Sequence, residues 1–539
     1  MIEIQNSYFK ISAILALPMP LDAPALARTL EQFLNGSRNA VVLEDNRVVF
    51  DLNAARYSVS GEHGKALLHM WSEERNAVRR VLGCESRNGT LKLTVQRFGK
   101  PKPTKLEICL GRDHRAPSAR KAARTAYEAL LRRILERELP GATIEPLRST
   151  ADLERSFSPV YARGVVRTGR SAFAVLGVNS QEPQAAIDGA LTFGILWLDH
   201  CRQRLAERAY VEGLKLFVPA GSSAIVRERM AHLNHAAAKF ELYEFNERER
   251  SLHRLDCADR GNIATRLVQC PNQAAAKDRF RESIARVLTA AAAWAERVDL
   301  VVLSPAEISF RLYGLEFARA RVSHYPRSFH SGEELLFGLG AAEHVISDEN
   351  EPVVRELIER IASTRHAAGD HSDPLWRMHP ERWMESLVID NVGALDSRLL
   401  HVESTAAAVY SQVPAFSASD RAMIDVLTAT RDGQLAVIEL KADEDLHLPL
   451  QGIDYWARVN WHHRRSEFRR FGYFPATELS SDPPLLLLVA PALRVHPATD
   501  TLLRYIAPEI DWSLIGIDEN WREGVRVIFR KRRTQAAAV

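Results

Sequence analysis

The stretch Met423-Ile424-Asp425-Val426-Leu427-Thr428-Ala429-Thr430-Arg431-Asp432-Gly433-Gln434-Leu435-Ala436-Val437-Ile438-Glu439-Leu440-Lys441 decides how this chain is read. Two strand-like runs, Ala422 to Thr430 and Gln434 to Leu440, flank Arg431-Asp432-Gly433 and predict a β-hairpin. A three-residue loop ending in glycine is a common hairpin type, because glycine accepts the left-handed backbone needed there. The loop pairs Thr430 with Gln434. Counting back along both strands sets Asp425 directly opposite Glu439, with side chains about 5 Å apart on one face. Period-two alternation adds Lys441 to that face and turns Ile438 and Leu440 to the other, apolar one.

Two carboxylates meeting from neighbouring strands repel unless a cation lies between them, and hard oxygen ligands with open positions suit Mg²⁺ or Mn²⁺. A lysine beside them can stabilise negative charge on a phosphate or ease formation of hydroxide, as phosphodiester hydrolysis requires. Upstream, His379-Pro380-Glu381 opens a helix with proline in its first turn, carrying the apolar stripe Trp383, Met384, Leu387 and Val388. Downstream, a helix from about Pro449 to Val459 places Gln451 and Tyr455 on one face, where both could orient the lysine or touch phosphate. Leu485 to Val489, Trp512 to Ile517 and Val525 to Phe529 read as further strands. The sum is an α/β domain, a mixed sheet flanked by helices.

At these residues the chain resembles the PD-(D/E)XK nuclease superfamily: Asp425 followed by Glu439-Leu440-Lys441, with Gln451-x-x-x-Tyr455 similar to the motif of its RecB-like branch. With Trp383-Met384-Glu385 upstream, it looks most like the NucS (EndoMS) type of DNA endonuclease, which joins a β-rich DNA-binding module to this nuclease domain. The resemblance covers about 150 residues. It implies a restriction-endonuclease-like fold and Mg²⁺- or Mn²⁺-dependent DNA cleavage. Asp425 and Glu439 would then be metal ligands, Lys441 the charge-stabilising catalytic residue, and Glu385 the acid supplied by the preceding helix. His447 to Pro449 and the insertion Trp461 to Phe474 depart from the small family members. That insertion interleaves Trp461, His462, His463, Arg464, Arg465, Arg469, Arg470, Tyr473 and Phe474, so that basic groups could meet phosphate while rings stack on bases. A solvated basic helix face fits the same pattern.

A chain of 539 residues exceeds what one core organises. Its net charge of +3 neither implies nor excludes a nucleic-acid partner. No apolar run is long enough to cross a bilayer and no basic-then-apolar leader opens the chain, so a cytoplasmic protein is expected, with no membrane partner. The five widely spaced cysteines form no C-x-x-C pair and read as reduced thiols.

Compared with itself, the chain repeats. Val41-Val42-Leu43 with Arg47 to Leu52 matches Val301-Val302-Leu303 with Glu307 to Leu312 at an offset of 260 residues. Ala174-Val175-Leu176 matches Ala436-Val437-Ile438 at 262, and Leu216 to Pro219 and Leu242 to Phe245 match Leu488 to Pro491 and Leu514 to Ile517 at 272. The expected organisation is a helix plus β-rich module (1–112) and a degenerate nuclease-like α/β domain (113–250). A connection and helix (251–297), a second β-rich module (298–370), the nuclease domain (371–530) and a basic tail (531–539) follow. At an offset of 262, Asp425 falls on Arg163, Glu439 on Gly177 and Lys441 on Asn179, so the first copy keeps no metal site and the chain would be an internal pseudo-dimer. A repair or defence role, an RNA substrate, and a nucleic-acid-binding or interaction protein that keeps the fold without turnover all remain open on sequence alone.

Overall fold

In the computed structural model, Asp425 and Glu439 belong to one of the four β-sheets formed among the described residues. The structure describes residues 23–533 except 36–39, 45–46, 53–55, 62–65, 72–75, 88–89, 98–102, 111–116, 153–154, 259–262, 264, 325–330, 340–342, 400–408 and 418–420. It divides into two compact units. One comprises the described residues up to Leu130 with Asn179–Ala186, the other Leu131–Val178 and everything from Ile187 onwards.

The first unit holds the helix Ala23–Asn35 and a seven-stranded antiparallel sheet. Leu26, Leu30 and Leu34 recur every four residues, so they line one face of the helix and share a core with Ala66, Leu68 and Met70. Those three alternate with half-buried residues along Ala66–Trp71, the period of a strand buried on one face.

The second unit is mixed α/β. Its five-stranded antiparallel meander, Val298–Ser304 to His344–Val345, shares a core with the helices Arg281–Ala291 and Glu351–Thr364. The hairpins matched at an offset of 260 exist in both β-modules but join their sheets differently. In the first unit Ala40–Glu44 continues to Thr104–Leu110; here the second strand, Glu307–Leu312, continues to Leu315–His324. The similarity there is one of a local hairpin and not of sheet topology.

The two remaining sheets do share a topology. Ala162–Thr168 and Ser171–Gly177 form a hairpin; Tyr210–Pro219 and Lys239–Asn246 add in parallel; Ser251–Leu255 closes the edge antiparallel. In the later sheet the same sequence of pairings runs through Arg421–Ala429, Leu435–Leu440, Leu485–Pro491, Trp512–Ile517 and Val527–Arg532. Parallel neighbours need a crossover, and a long helix supplies it in each case, Ala190–Leu205 and Leu448–His463. Each crossover helix presses a glycine on the sheet: a Cβ on Gly194 would lie 2.7 Å from Leu214, and one on Gly452 2.5 Å from Leu488. One continuous apolar core runs through both sheets.

Several boundaries differ from expectation. Ser251–Leu255 and Thr265–Leu267, placed in a connection, are edge strands of the two sheets, because each finds an open row of backbone groups to pair with. The basic run Arg530 to Arg533 is no free tail. It ends the Val527–Arg532 strand, with Arg530 on the Leu395 carbonyl, Lys531 on Asp500, Arg532 on Asp396 and Arg533 on the Ile506 carbonyl. Residues 534–539 lie outside the described residues. Among the described residues no helix is long and apolar enough to cross a membrane.

Candidate active site

The hairpin that carries the site has the expected loop. Thr430 N donates to Gln434 O at 2.7 Å and Gly433 N to Thr430 O at 2.9 Å, with Gly433 at φ +82°. A side chain at Gly433 would be strained by that φ and would put its Cβ 2.0 Å from the Glu478 carbonyl oxygen. The ladder then runs from Ala429 opposite Leu435 to Val426 opposite Ile438, so the next step sets Asp425 opposite Glu439. Ile438 and Leu440 lie in the apolar core of the other face.

At that step the backbone ladder opens and side chains take over. Leu440 N donates to Asp425 Oδ2 at 3.0 Å, while Lys441 N continues the bond to the neighbouring strand through Val489 O at 3.0 Å. Glu439 is 2% exposed; its Oε1 lies 3.4 Å from Lys441 Nζ, and its Oε2 has no hydrogen-bond partner. Burial raises the Glu439 carboxyl well above its ordinary range, with Asp425 adding to the effect and Lys441 opposing it. Burial likewise raises Asp425, against the Leu440 N–H and the charge of Lys441. Burial works against the Lys441 ammonium, but Glu439, Asp445, Glu381 and Asp425 together outweigh it and keep it charged.

The helix Pro380–Asp390 delivers Glu385, 3% exposed. Its Oε2 accepts from Arg382 Nη1 and from Gln412 Nε2, each at 2.9 Å, and its Oε1 is unpartnered. Burial, reinforced by the charge of Asp425, pushes its carboxyl up to about 7. The helix Leu448–His463 presents Gln451, whose buried Oε1 is also unpartnered, and one turn later Tyr455. Burial and the charges of Glu439 and Asp425 raise the Tyr455 phenol well above its usual range, so it stays a protonated donor. The six residues expected at the site thus fall on three adjoining elements, and Asp425 and Glu439 act electrostatically on one another, on Lys441 and on Tyr455.

The basic insertion does not behave as one patch. Trp461 to His463 complete the helix, so Arg464 begins some 13 Å along its axis from Tyr455 at about 1.5 Å per residue. His462, expected to face nucleic acid, is 2% exposed and held by Thr265 Oγ1 and Glu467, which removes it from any surface role. Tyr473 and Phe474 pack in the core, with their rings turned away from solvent. Arg464 and Arg465 are exposed, and the Arg465 guanidinium lies over the half-buried Trp461 ring at 3.2 Å, covering the face a base would use.

Sequence reasoning missed Gln412. The register Ser411 to Val426 and Val413 to Ile424 sets it directly opposite Asp425 on the side away from Glu439, yet it sits at φ +53° and drops out of the pairing. A left-handed glutamine within a strand is uncommon and costs on the order of 1–3 kcal/mol, a cost borne where function needs the resulting direction. Here the direction is toward Glu385. Nothing in the local sequence signals it. Arg382 was missed as well, although its spacing of three residues from Glu385 on a helix was the signal for the pair.

Fold and site together define a mixed α/β domain with a half-buried and a buried acid opposed, and a lysine beside them, at the open step of its central hairpin. No family model and no curated protein matches the chain. Two solved structures are similar to part of it. A repair endonuclease from Pyrococcus abyssi is 11% identical over 42% of this chain and 97% of that one, with a TM-score of 0.16. An EndoMS-dsDNA2 complex is 12% identical over 40% of this chain and 92% of that one, also at 0.16.

Proposed function

We propose that residues 371–530 form a Mg²⁺- or Mn²⁺-dependent endonuclease that hydrolyses phosphodiester bonds of DNA. The observation that carries the reading is a set of unpartnered acceptors on the hairpin and its two flanking helices. Glu439 Oε2 is buried without a donor beside Asp425, whose charge opposes its own, and Glu385 Oε1 and Gln451 Oε1 on the helices are likewise buried and unpartnered. Buried acceptors are almost always satisfied. A cation with its ordered waters is the group that satisfies several at once. Among the described residues no three Asp, Glu, His or Cys side chains cage a metal by themselves. An ion held by Asp425 and Glu439 would therefore keep water in its other positions, as Mg²⁺ prefers.

When bound, such an ion supplies Lewis acidity and a water of lowered pKa. The rest falls to the chain. Lys441 keeps a fixed positive charge beside Glu439, where a phosphate oxygen gains negative charge as the bond breaks. Tyr455 offers a neutral O–H from the adjoining helix. Glu385, held by Arg382 and Gln412 through one oxygen, keeps the other buried and unpartnered and lies close enough to Asp425 to feel its charge, so it would orient a water at the site.

The test is incubation of the purified chain with single-stranded DNA, duplex DNA and RNA in Mg²⁺, in Mn²⁺ and in EDTA. DNA cleavage that needs an ion and disappears in Glu439→Gln and Lys441→Ala is expected, with Lys441→Ala retaining Mn²⁺ binding. Cleavage in EDTA, an active Glu439→Gln protein, or intact DNA under every condition overturns the assignment.

A further inference from the structure

The two sheets with a shared topology can be aligned through their hydrogen bonds. Leu216 pairs with Leu242, and Leu488 with Leu514, both 272 residues on. Leu216 also pairs with Leu176, and Leu488 with Glu439, so Leu176 stands at the position of Glu439. The offset is 263 on that strand and 262 on the one before it, where Arg163, opposite Leu176, stands for Asp425. The cause is the turn between them: Thr168 pairs with Ser171 across two residues, Gly169 and Arg170, against three in the later hairpin. The sequence match to Gly177 and Asn179 is corrected accordingly to Leu176 and Val178. The backbone agrees, because Val178 N donates to Phe217 O at 3.0 Å as Lys441 N does to Val489 O. On the crossover helices, aligned through Gly194 and Gly452, Phe193 and Trp197 replace Gln451 and Tyr455.

Every group proposed for chemistry on these elements is therefore replaced by an apolar or cationic one. The Arg163 guanidinium, 6% exposed, bonds the carbonyls of Ser158 and Thr150 and lies over the rings of Phe157 and Trp197, at 4.6 and 5.8 Å. The earlier site carries a built-in cation and repels a second.

The two copies meet about a local two-fold axis. Leu233 bridges Ile506 antiparallel; Asn234 N donates to Tyr505 O at 2.8 Å and Ala507 N to His232 O at 2.9 Å. His232, Leu233 and Asn234 lie 273 residues before Tyr505, Ile506 and Ala507. Each bond is thus the symmetry mate of the other, which is the signature of an isologous contact. Beside it the buried Arg229–Asp454 pair, 2.7 Å at its shortest, locks one copy to the other.

We infer that the chain is its own dimer with one plugged site, and that it cuts one strand of a DNA duplex per binding event. The inference rests on the nuclease reading above. A duplex relates its two strands by two-fold axes, so a two-fold protein offers one site to each strand. Here only the Asp425–Glu439 site can act, and the isologous face that would recruit a second copy is already filled from within.

The test is a time course on supercoiled plasmid with Mg²⁺ or Mn²⁺, with the mass of the protein in solution measured alongside. Open circles should accumulate first, with linear DNA appearing only after a lag as independent nicks fall opposite one another, and Glu439→Gln should yield neither. Linear DNA formed without a lag overturns the inference and leaves the nuclease reading standing, whereas nicking that survives in Glu439→Gln overturns both. Plasmid left supercoiled with both ions overturns the nuclease reading and the inference with it.

Discussion

Glu439→Gln is expected to make the ion-free protein more stable and the ion-loaded protein less stable. Glu439 is a buried carboxylate with one oxygen near Lys441 and the other without a partner, facing Asp425. A buried acceptor left unsatisfied costs about 1–3 kcal/mol. Glutamine keeps the shape, brings an amide donor to Asp425 and cannot ionise where burial and Asp425 disfavour the carboxylate, so a gain of about 1–3 kcal/mol is expected without ion. Lys441 keeps Asp445 and Asp425 as counter-charges. With ion in large excess the order reverses: a ligand that binds only the folded state stabilises it by about 4.1 kcal/mol at a thousand times its Kd, more than the ion-free gain, and the variant lacks half of the proposed ligand pair. Urea denaturation followed by tryptophan fluorescence, in EDTA and across a Mn²⁺ series, measures both states. A variant less stable than the parent in EDTA, or stabilised by Mn²⁺ as strongly as the parent, would refute the reasoning.

Three further outcomes can be checked. Gln412→Ala removes the donor from Glu385 Oε2 and should lower the cleavage rate while leaving Mn²⁺ affinity within a few-fold; an unchanged rate would show that Glu385 needs no such support. Arg464→Glu with Arg465→Glu should weaken DNA binding in low salt and reduce the salt slope by about two if each arginine meets one phosphate, whereas an unchanged slope would make them plain surface residues. Asp299, pushed up to about 6 by burial with Asp390 adding, holds an extra proton in the folded state between pH of about 4 and 6. Its contribution is therefore fully present below pH of about 4 and is lost as pH rises through about 6, by at most about 1.4 kcal/mol per unit. Asp299→Asn should flatten that part of the urea stability profile, and the same pH slope in both proteins would remove Asp299 as its source.

What the sequence made legible follows from how local each signal is. The Asp425–Glu439 register needed only a glycine-closed loop and period-two alternation, both contained in 19 residues, Met423 to Lys441. The mixed sheet followed from apolar strands punctuated by helices. Gln412 was invisible because its left-handed backbone is imposed by the helix it reaches, far away in sequence. The basic and aromatic insertion was ambiguous for a different reason: composition cannot tell a ring that packs inward, as Tyr473 and Phe474 do, from one that waits for a base. The two-residue turn at Gly169-Arg170 moved the alignment by one position, and in a strand one position exchanges the faces.

The corrected register also shows what the first copy holds in place of the acids and the lysine. Leu176 and Val178 point into the same shared core toward which Glu439 and Lys441 point in the second copy, and there they bury apolar surface where the second copy buries charge. Burying a leucine or valine side chain contributes about 1.5–3 kcal/mol, and an unpaired acceptor costs a similar amount, so the two copies differ at this point by several kcal/mol. The interface favours retention of the first copy's fold, because the Leu233–Ile506 bridge and the Arg229–Asp454 pair need both copies folded. The stability forgone at Glu439 and recovered at Leu176 is the quantity that Glu439→Gln measures in part.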